Sequence, residues 1–217
     1  MSDKKLLKET EKFVQEKLKE DYSGHDWWHI HRVYKLAQHI AEKEKADQKI
    51  VSLAALLHDI ADWKFNDGDL NAGPEQAKVW LLKQGVDKFI IDSVCEIIRN
   101  ISFKGAKVTD APLSLEGRVV QDADRLDAIS AIGIARAFAY GGYKHRSIHL
   151  PEVLPTLHAS FEEYKNKSTT TINHFYEKLL LLKDKLHTST AKAIAIKRHQ
   201  LMEDYIKQFF DEWNIII

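Results

Sequence analysis

Apolar side chains recur every three or four positions along most of the chain and rarely at every second position, the signature of amphipathic helices. Leu6, Leu7, Phe13, Val14 and Leu18 predict a first helix over residues 3–20, broken at Tyr22-Ser23-Gly24. Ile30, Val33, Leu36, Ala37 and Ile40 predict a second, from Asp26 to Lys43. Asp47 is placed to cap a third, over residues 48–62, whose apolar side is Ile50, Val51, Leu53, Ala54 and Leu57. Helices follow at 74–84, opened by Pro74 and closed by Gly85, and at 87–100. A long one is predicted from Leu115 to Tyr140, ended by Gly141-Gly142, and others at 156–165, 171–186 and 189–213. Residues 63–73, 102–113 and 143–155 read as loops. Strand patterns, internal repeats and linkers are not evident, so the pattern predicts one compact all-α domain over residues 1–217.

Polar residues interrupt this pattern where a core is expected. Leu56-Leu57-His58-Asp59-Ile60-Ala61-Asp62 ends an apolar run, and on a continuing helix His58, Asp59 and Asp62 share roughly one face. Burying an imidazole with two carboxylates costs several kcal/mol unless compensated, and a bound cation is the simplest compensation. A helix end whose polar residues turn outward is the plainer alternative. His29, in the first turn of the second helix, and Asp124, in the 115–140 helix, extend the set to two imidazoles and two carboxylates. Such mixed nitrogen and oxygen donors suit an octahedral divalent ion with open positions: manganese, iron, cobalt, nickel or magnesium. A closed structural zinc site usually draws on cysteines, and only Cys95 is present. Taken singly, His29 reads rather as a partly buried helix-start histidine, and Asp124 can be a solvated carboxylate between Asp122 and Asp127.

Composition narrows the function classes. Lysine plus arginine and aspartate plus glutamate number 32 each, so the formal net charge is zero. That disfavours a nucleic-acid or membrane-surface protein, which usually carries a basic excess. With 44% hydrophobic residues the 217-residue chain can bury a sizeable core. One cysteine allows no internal disulfide, which suits a reducing compartment. The charged first twenty residues lack an apolar signal core, and no long apolar run predicts a membrane span. A cytoplasmic location is expected.

The order of Trp28-His29-Ile30-His31-Arg32-Val33, Leu57-His58-Asp59-Ile60-Ala61-Asp62 and Gln121-Asp122-Ala123-Asp124-Arg125-Leu126-Asp127 resembles the HD-domain superfamily of metal-dependent phosphohydrolases. Gly24-His25-Asp26-Trp27-Trp28-His29, Ile101-Ser102-Phe103-Lys104-Gly105, Ala137-Phe138-Ala139-Tyr140-Gly141-Gly142 and His174-Phe175-Tyr176-Glu177-Lys178-Leu179 narrow it to bacterial members of about this length. The resemblance implies a compact helical HD-domain fold. Its metal-binding core would span about 20–140, with C-terminal helices at about 155–213 packed onto it. It implies that His29, His58, Asp59 and Asp124 are metal ligands and that Asp62 is the acidic residue of hydrolytic members. No histidine lies between His58 and His145, which favours one ion over two and argues against the signalling phosphodiesterase branch. His31 departs from the pattern, where an acidic or other polar residue is expected.

The implied activity is hydrolysis of a small phosphate ester, foremost a nucleotide, with one divalent ion, manganese foremost. Release of pyrophosphate from a nucleoside triphosphate is favoured over monophosphate cleavage. A metal-containing module that binds nucleotides without cleaving them is the alternative. Asp62 is the candidate proton acceptor. Lys104, in a short glycine-containing loop, is the first candidate to meet charge on phosphorus, ahead of Arg125, Lys144 and Arg146. Trp27, Trp28 and Trp63 read as pocket wall or as stacking surfaces for a base.

Overall fold

The computed structural model describes residues 2–20, 24–61, 69–166 and 169–216, with side chains for all of these except 165 and 166. Every regular element among them is helical. In chain order they are α1 (Asp3–Lys17), α2 (Trp27–Glu44), α3 (Gln48–Leu57), α4 (Ala72–Lys83), α5 (Lys88–Asn100), α6 (Leu115–Asp127), α7 (Ser130–Tyr143), α8 (Phe161–Asn166), α9 (Thr171–Glu177), a 3-10 helix (Leu179–Lys185) and α10 (Ser189–Trp213). The expected all-α class is what the chain adopts. No helix among the described residues is long and apolar enough to cross a membrane. The chain divides into two compact units, Met1–Ser102 with Asp110–Asp124, and Phe103–Thr109 with Arg125–Ile217.

The first unit is built around α3, which packs against α1, α2 and α5. From Ile50 to Leu57 every α3 residue is buried, so this helix lacks a polar face. Its one polar core residue, Ser52, accepts a hydrogen bond from Gln38. Each fully buried leucine here contributes about 1.5–3 kcal/mol. Asp47 caps the helix as expected, accepting from the N–H groups of Lys49 and Ile50 at 2.8 and 3.0 Å. Against α3 lies the apolar stripe of α2: Ile30, Val33, Ala37, Ile40 and Ala41, all fully buried.

The helix expected over 48–62 ends earlier, at Leu57, and His58–Ala61 form turns. The reason is local. The His58 imidazole donates through Nδ1 to the Ala55 carbonyl at 2.8 Å, taking the acceptor that a continuing helix would offer to the Asp59 N–H. The helix expected from Pro74 begins two residues sooner, at Ala72. Proline at the third position costs nothing there, because first-turn N–H groups have no partner within the helix.

In the second unit α7 packs against α9 and α10, and the 3-10 helix against the same two. The single helix expected from Leu115 to Tyr140 is two helices. Ile129 is extended and Ser130 has φ 74°, so the chain turns between α6 and α7. Gly133 permits this turn: a Cβ there would stand 2.2 Å from the Ala128 carbonyl oxygen. Gly141 does not end α7, which runs on to Tyr143. It lets Thr171 of α9 approach, whose Oγ1 would lie 2.2 Å from an added Cβ. The segment expected helical over 156–165 is helical only from Phe161, and that over 171–186 changes from α to 3-10 at Lys178.

Candidate metal centre

The start of α2 and the end of α3 carry the polar cluster of the first unit. Asp26 precedes α2 and accepts the His29 N–H at 2.9 Å, which fixes the first turn and with it His29. His29 and His58 are both buried, and their Nε2 atoms stand 3.3 Å apart. From His29 Nε2 it is 3.4 Å to Asp59 Oδ2 and 3.5 Å to Asp124 Oδ1. From His58 Nε2 the same oxygens lie at 3.7 and 3.8 Å. One donor atom from each of His29, His58 and Asp59 lies within 4.8 Å of the others.

This donor set fits a divalent cation. A carbonyl only accepts, so His58 Nδ1 donates to Ala55, which fixes the ring and turns Nε2 toward the cluster. Two imidazole nitrogens and two carboxylate oxygens thus converge, and a proton or a cation relieves their mutual repulsion. Two donors bound at right angles to one ion at about 2.1 Å stand roughly 3 Å apart, close to the separations seen here. Burial pushes the Asp59 carboxyl up. The His58 charge, the His29 hydrogen bond and the His25 and His29 charges together outweigh it and hold the group well below the usual carboxylate range. Asp59 therefore offers an ionised oxygen to a ligand at neutral pH.

His29, His58, Asp59 and Asp124 are thus brought together. Asp62 and Trp63 lie outside the described residues. Lys104 belongs to the second unit, half-buried in the stretch Phe103–Thr109. Arg125 turns to its own unit, where its guanidinium donates to the Lys185 carbonyl. Lys144 and Arg146 pack on the ring of Tyr140. His31 is half-buried, its ring against Trp27 at 5.6 Å and Trp28 at 5.9 Å. Trp28 is 61% exposed. Two contributors had no role assigned from the sequence: His25, quoted only within the Gly24–His29 stretch, whose ring meets His29 edge-on at 5.9 Å, and the Ala55 carbonyl that orients His58.

A model of the HD domain matches residues 27–129, a span that holds all four clustered side chains. The Bacillus subtilis protein YpgQ is 40% identical over 209 residues, covering 96% of this chain and 94% of that one. The chain belongs to the HD-domain superfamily. Among solved structures, a Lactobacillus plantarum protein superposes with a TM-score of 0.89 at 38% identity, covering 99% of this chain and all of that one. An HD-superfamily hydrolase from Bacillus thuringiensis gives 0.74 at 41%, covering 98% and 99%. YpgQ solved in complex with ADP gives 0.74 at 38%, covering 98% and 97%.

Proposed function

We propose that this protein is a metal-dependent phosphohydrolase of nucleotides, and that its preferred reaction converts a nucleoside triphosphate and water to the monophosphate and pyrophosphate. The observation that carries the proposal is the convergence of His29 and His58 Nε2 with Asp59 Oδ2 and Asp124 Oδ1. Superfamily membership supports hydrolysis, and the ADP complex of the related YpgQ supports a nucleotide as substrate.

His29, His58, Asp59 and Asp124 would hold one divalent ion, manganese foremost. When bound, such an ion supplies a Lewis acid for a phosphate oxygen and lowers the pKa of a water. The buried imidazoles of His29 and His58 exclude bulk water from one side of the cluster. Asp62, three residues after Asp59, would accept the proton of the attacking water on a carboxylate oxygen. The Lys104 ammonium would meet negative charge as it grows on the phosphate oxygens. The single thiol and the zero net charge fit a cytoplasmic enzyme acting on a small molecule.

The test is release of phosphate and of pyrophosphate from nucleoside mono-, di- and triphosphates with manganese, cobalt, nickel and magnesium. Pyrophosphate from triphosphates is the expected product. Phosphate from monophosphates alone moves the reading to a nucleotidase. No turnover in protein shown to hold metal refutes hydrolysis and leaves the binding module.

A further inference from the structure

Helix α6 belongs to both units, residues 115–124 to the first and 125–127 to the second. Each unit holds its own part. In the first, Glu116 Oε1 accepts the Asp47 N–H at 3.2 Å, and Gln121 Nε2 donates to the Ile101 carbonyl at 3.0 Å. In the second, guanidinium groups hold the last turn. Arg198 of α10 donates through Nη1 to the Leu126 carbonyl, and Arg136 of α7 pairs through Nη1 with Asp127 Oδ2 at 3.0 Å. Arg125 anchors the same turn to the Lys185 carbonyl. Leu126 and Asp127 are buried, and Arg136 and Arg198 are half-buried. Burial draws the Arg198 pKa down while the Asp127 charge works against it, so Arg198 senses the carboxylate that Arg136 holds.

The end of α6 has a local need for these donors. The last carbonyls of a helix have no partner within it, and cations there also meet the negative end of the helix dipole. The Leu126 carbonyl receives Arg198 and, at 3.4 Å, the Ile129 N–H. The chain then leaves the helix through extended Ile129 and through Ser130 at φ 74°.

Asp124 stands within one turn of this anchored end, about 4.5 Å along the axis before Asp127. It is the most exposed of the four clustered donors, and the one that α6 supplies. Its Oδ1 meets His29 Nε2 at 3.5 Å and His58 Nε2 at 3.8 Å. Ligand distances tolerate only about 0.2 Å, so a small shift of the helix end is enough to displace it. We propose that Arg136 and Arg198 are positioning residues for the metal centre: by fixing the last turn of α6 they set Asp124 against His29, His58 and Asp59. The proposal rests on the reading of Asp124 as a ligand. Its sign separates it from a plain charge effect. A cation near a divalent ion repels it, so losing an arginine by charge alone strengthens metal binding, whereas losing a support weakens it.

The test is calorimetric titration of the full-length protein with manganese, beside thermal unfolding without metal. Arg136→Met and Arg198→Met keep an aliphatic stem and remove the donor. Each should weaken binding roughly tenfold, as for loss of an outer partner of a ligand. Arg136→Lys and Arg198→Lys keep the charge and an N–H donor and should bind within about threefold of wild type. Ile206→Ala, buried two turns farther along α10, is the stability control; it should lower the Tm and leave manganese affinity unchanged. Asp124→Ala should itself lose roughly 100-fold, and in that background neither methionine substitution should weaken binding further. Arg198→Met leaves a carbonyl that keeps the Ile129 N–H, so it remains testable if Arg136→Met, which takes a partner from a buried carboxylate, fails to fold. A folded methionine variant with unchanged or tighter binding overturns the role of that arginine, as does an equal loss in the Asp124→Ala background. Wild-type affinity in Asp124→Ala refutes instead the ligand reading beneath the proposal.

Discussion

Replacing His58 by alanine removes a donor that stands 3.3 Å from His29 Nε2 and 3.7 and 3.8 Å from the Asp59 and Asp124 oxygens. It also removes the ring that the Ala55 carbonyl orients. Losing only an outer partner of a metal ligand costs about 10–100-fold in affinity, so losing the ligand itself should cost roughly 100-fold or more, about 2.7 kcal/mol. That loss is readable as stability. At a free manganese concentration about 100 times its dissociation constant, the wild-type protein gains about 2.7 kcal/mol over the metal-free form. For a chain of this size each kcal/mol moves the Tm by roughly 2–4 °C, so manganese should raise the wild-type Tm by about 5–11 °C. At the same concentration His58→Ala is near its own dissociation constant and gains only about 0.4 kcal/mol, or roughly 1–2 °C. Thermal unfolding with and without manganese, together with metal analysis after gel filtration, measures both quantities. A His58→Ala protein with the wild-type manganese shift, or one that retains one ion per chain, refutes the assignment of His58 as a ligand.

Three further substitutions probe the account. Asp26→Ala deletes the cap that holds the His29 N–H at 2.9 Å; it should cost about 1 kcal/mol of stability and roughly tenfold in manganese affinity by titration, and an unchanged affinity would show that the cap does not position His29. Asp62→Asn should retain the ion in metal analysis while kcat falls by about 100-fold or more, and full turnover would remove Asp62 from the mechanism. Gly133→Ala forces a Cβ to within 2.2 Å of the Ala128 carbonyl oxygen and should cost about 2–3 kcal/mol, lowering the Tm by roughly 4–12 °C; an unmoved Tm would contradict the close approach at the α6–α7 turn.

Much of the fold is legible in the chain, because amphipathic periodicity reports directly on burial. The stripe Ile30, Val33, Ala37 and Ile40 is buried on α2 as its spacing predicts, and Asp47 caps α3. What periodicity does not carry is where a helix stops for a tertiary or side-chain reason. Nothing in Ala128-Ile129-Ser130-Ala131 breaks the apolar repeat, yet the backbone turns there, and Gly133 makes room for it. The α3 terminus likewise depends on a buried imidazole bonding back to its own helix. The cluster was legible as a list of donor types in order. That Asp124 reaches the two histidines is set by the packing of the first unit, and the adjacency of His25 depends on the path of the chain before α2.

The central claim is that one divalent ion, held by His29, His58, Asp59 and Asp124, makes this protein a nucleotide phosphohydrolase. The most direct test strips the protein with a chelator and restores manganese stepwise while pyrophosphate release from a nucleoside triphosphate is followed. The account predicts no turnover in the stripped protein, recovery that saturates at one ion per chain, and no recovery in His58→Ala. Turnover by the metal-free protein, or equal recovery in wild type and His58→Ala, would contradict it.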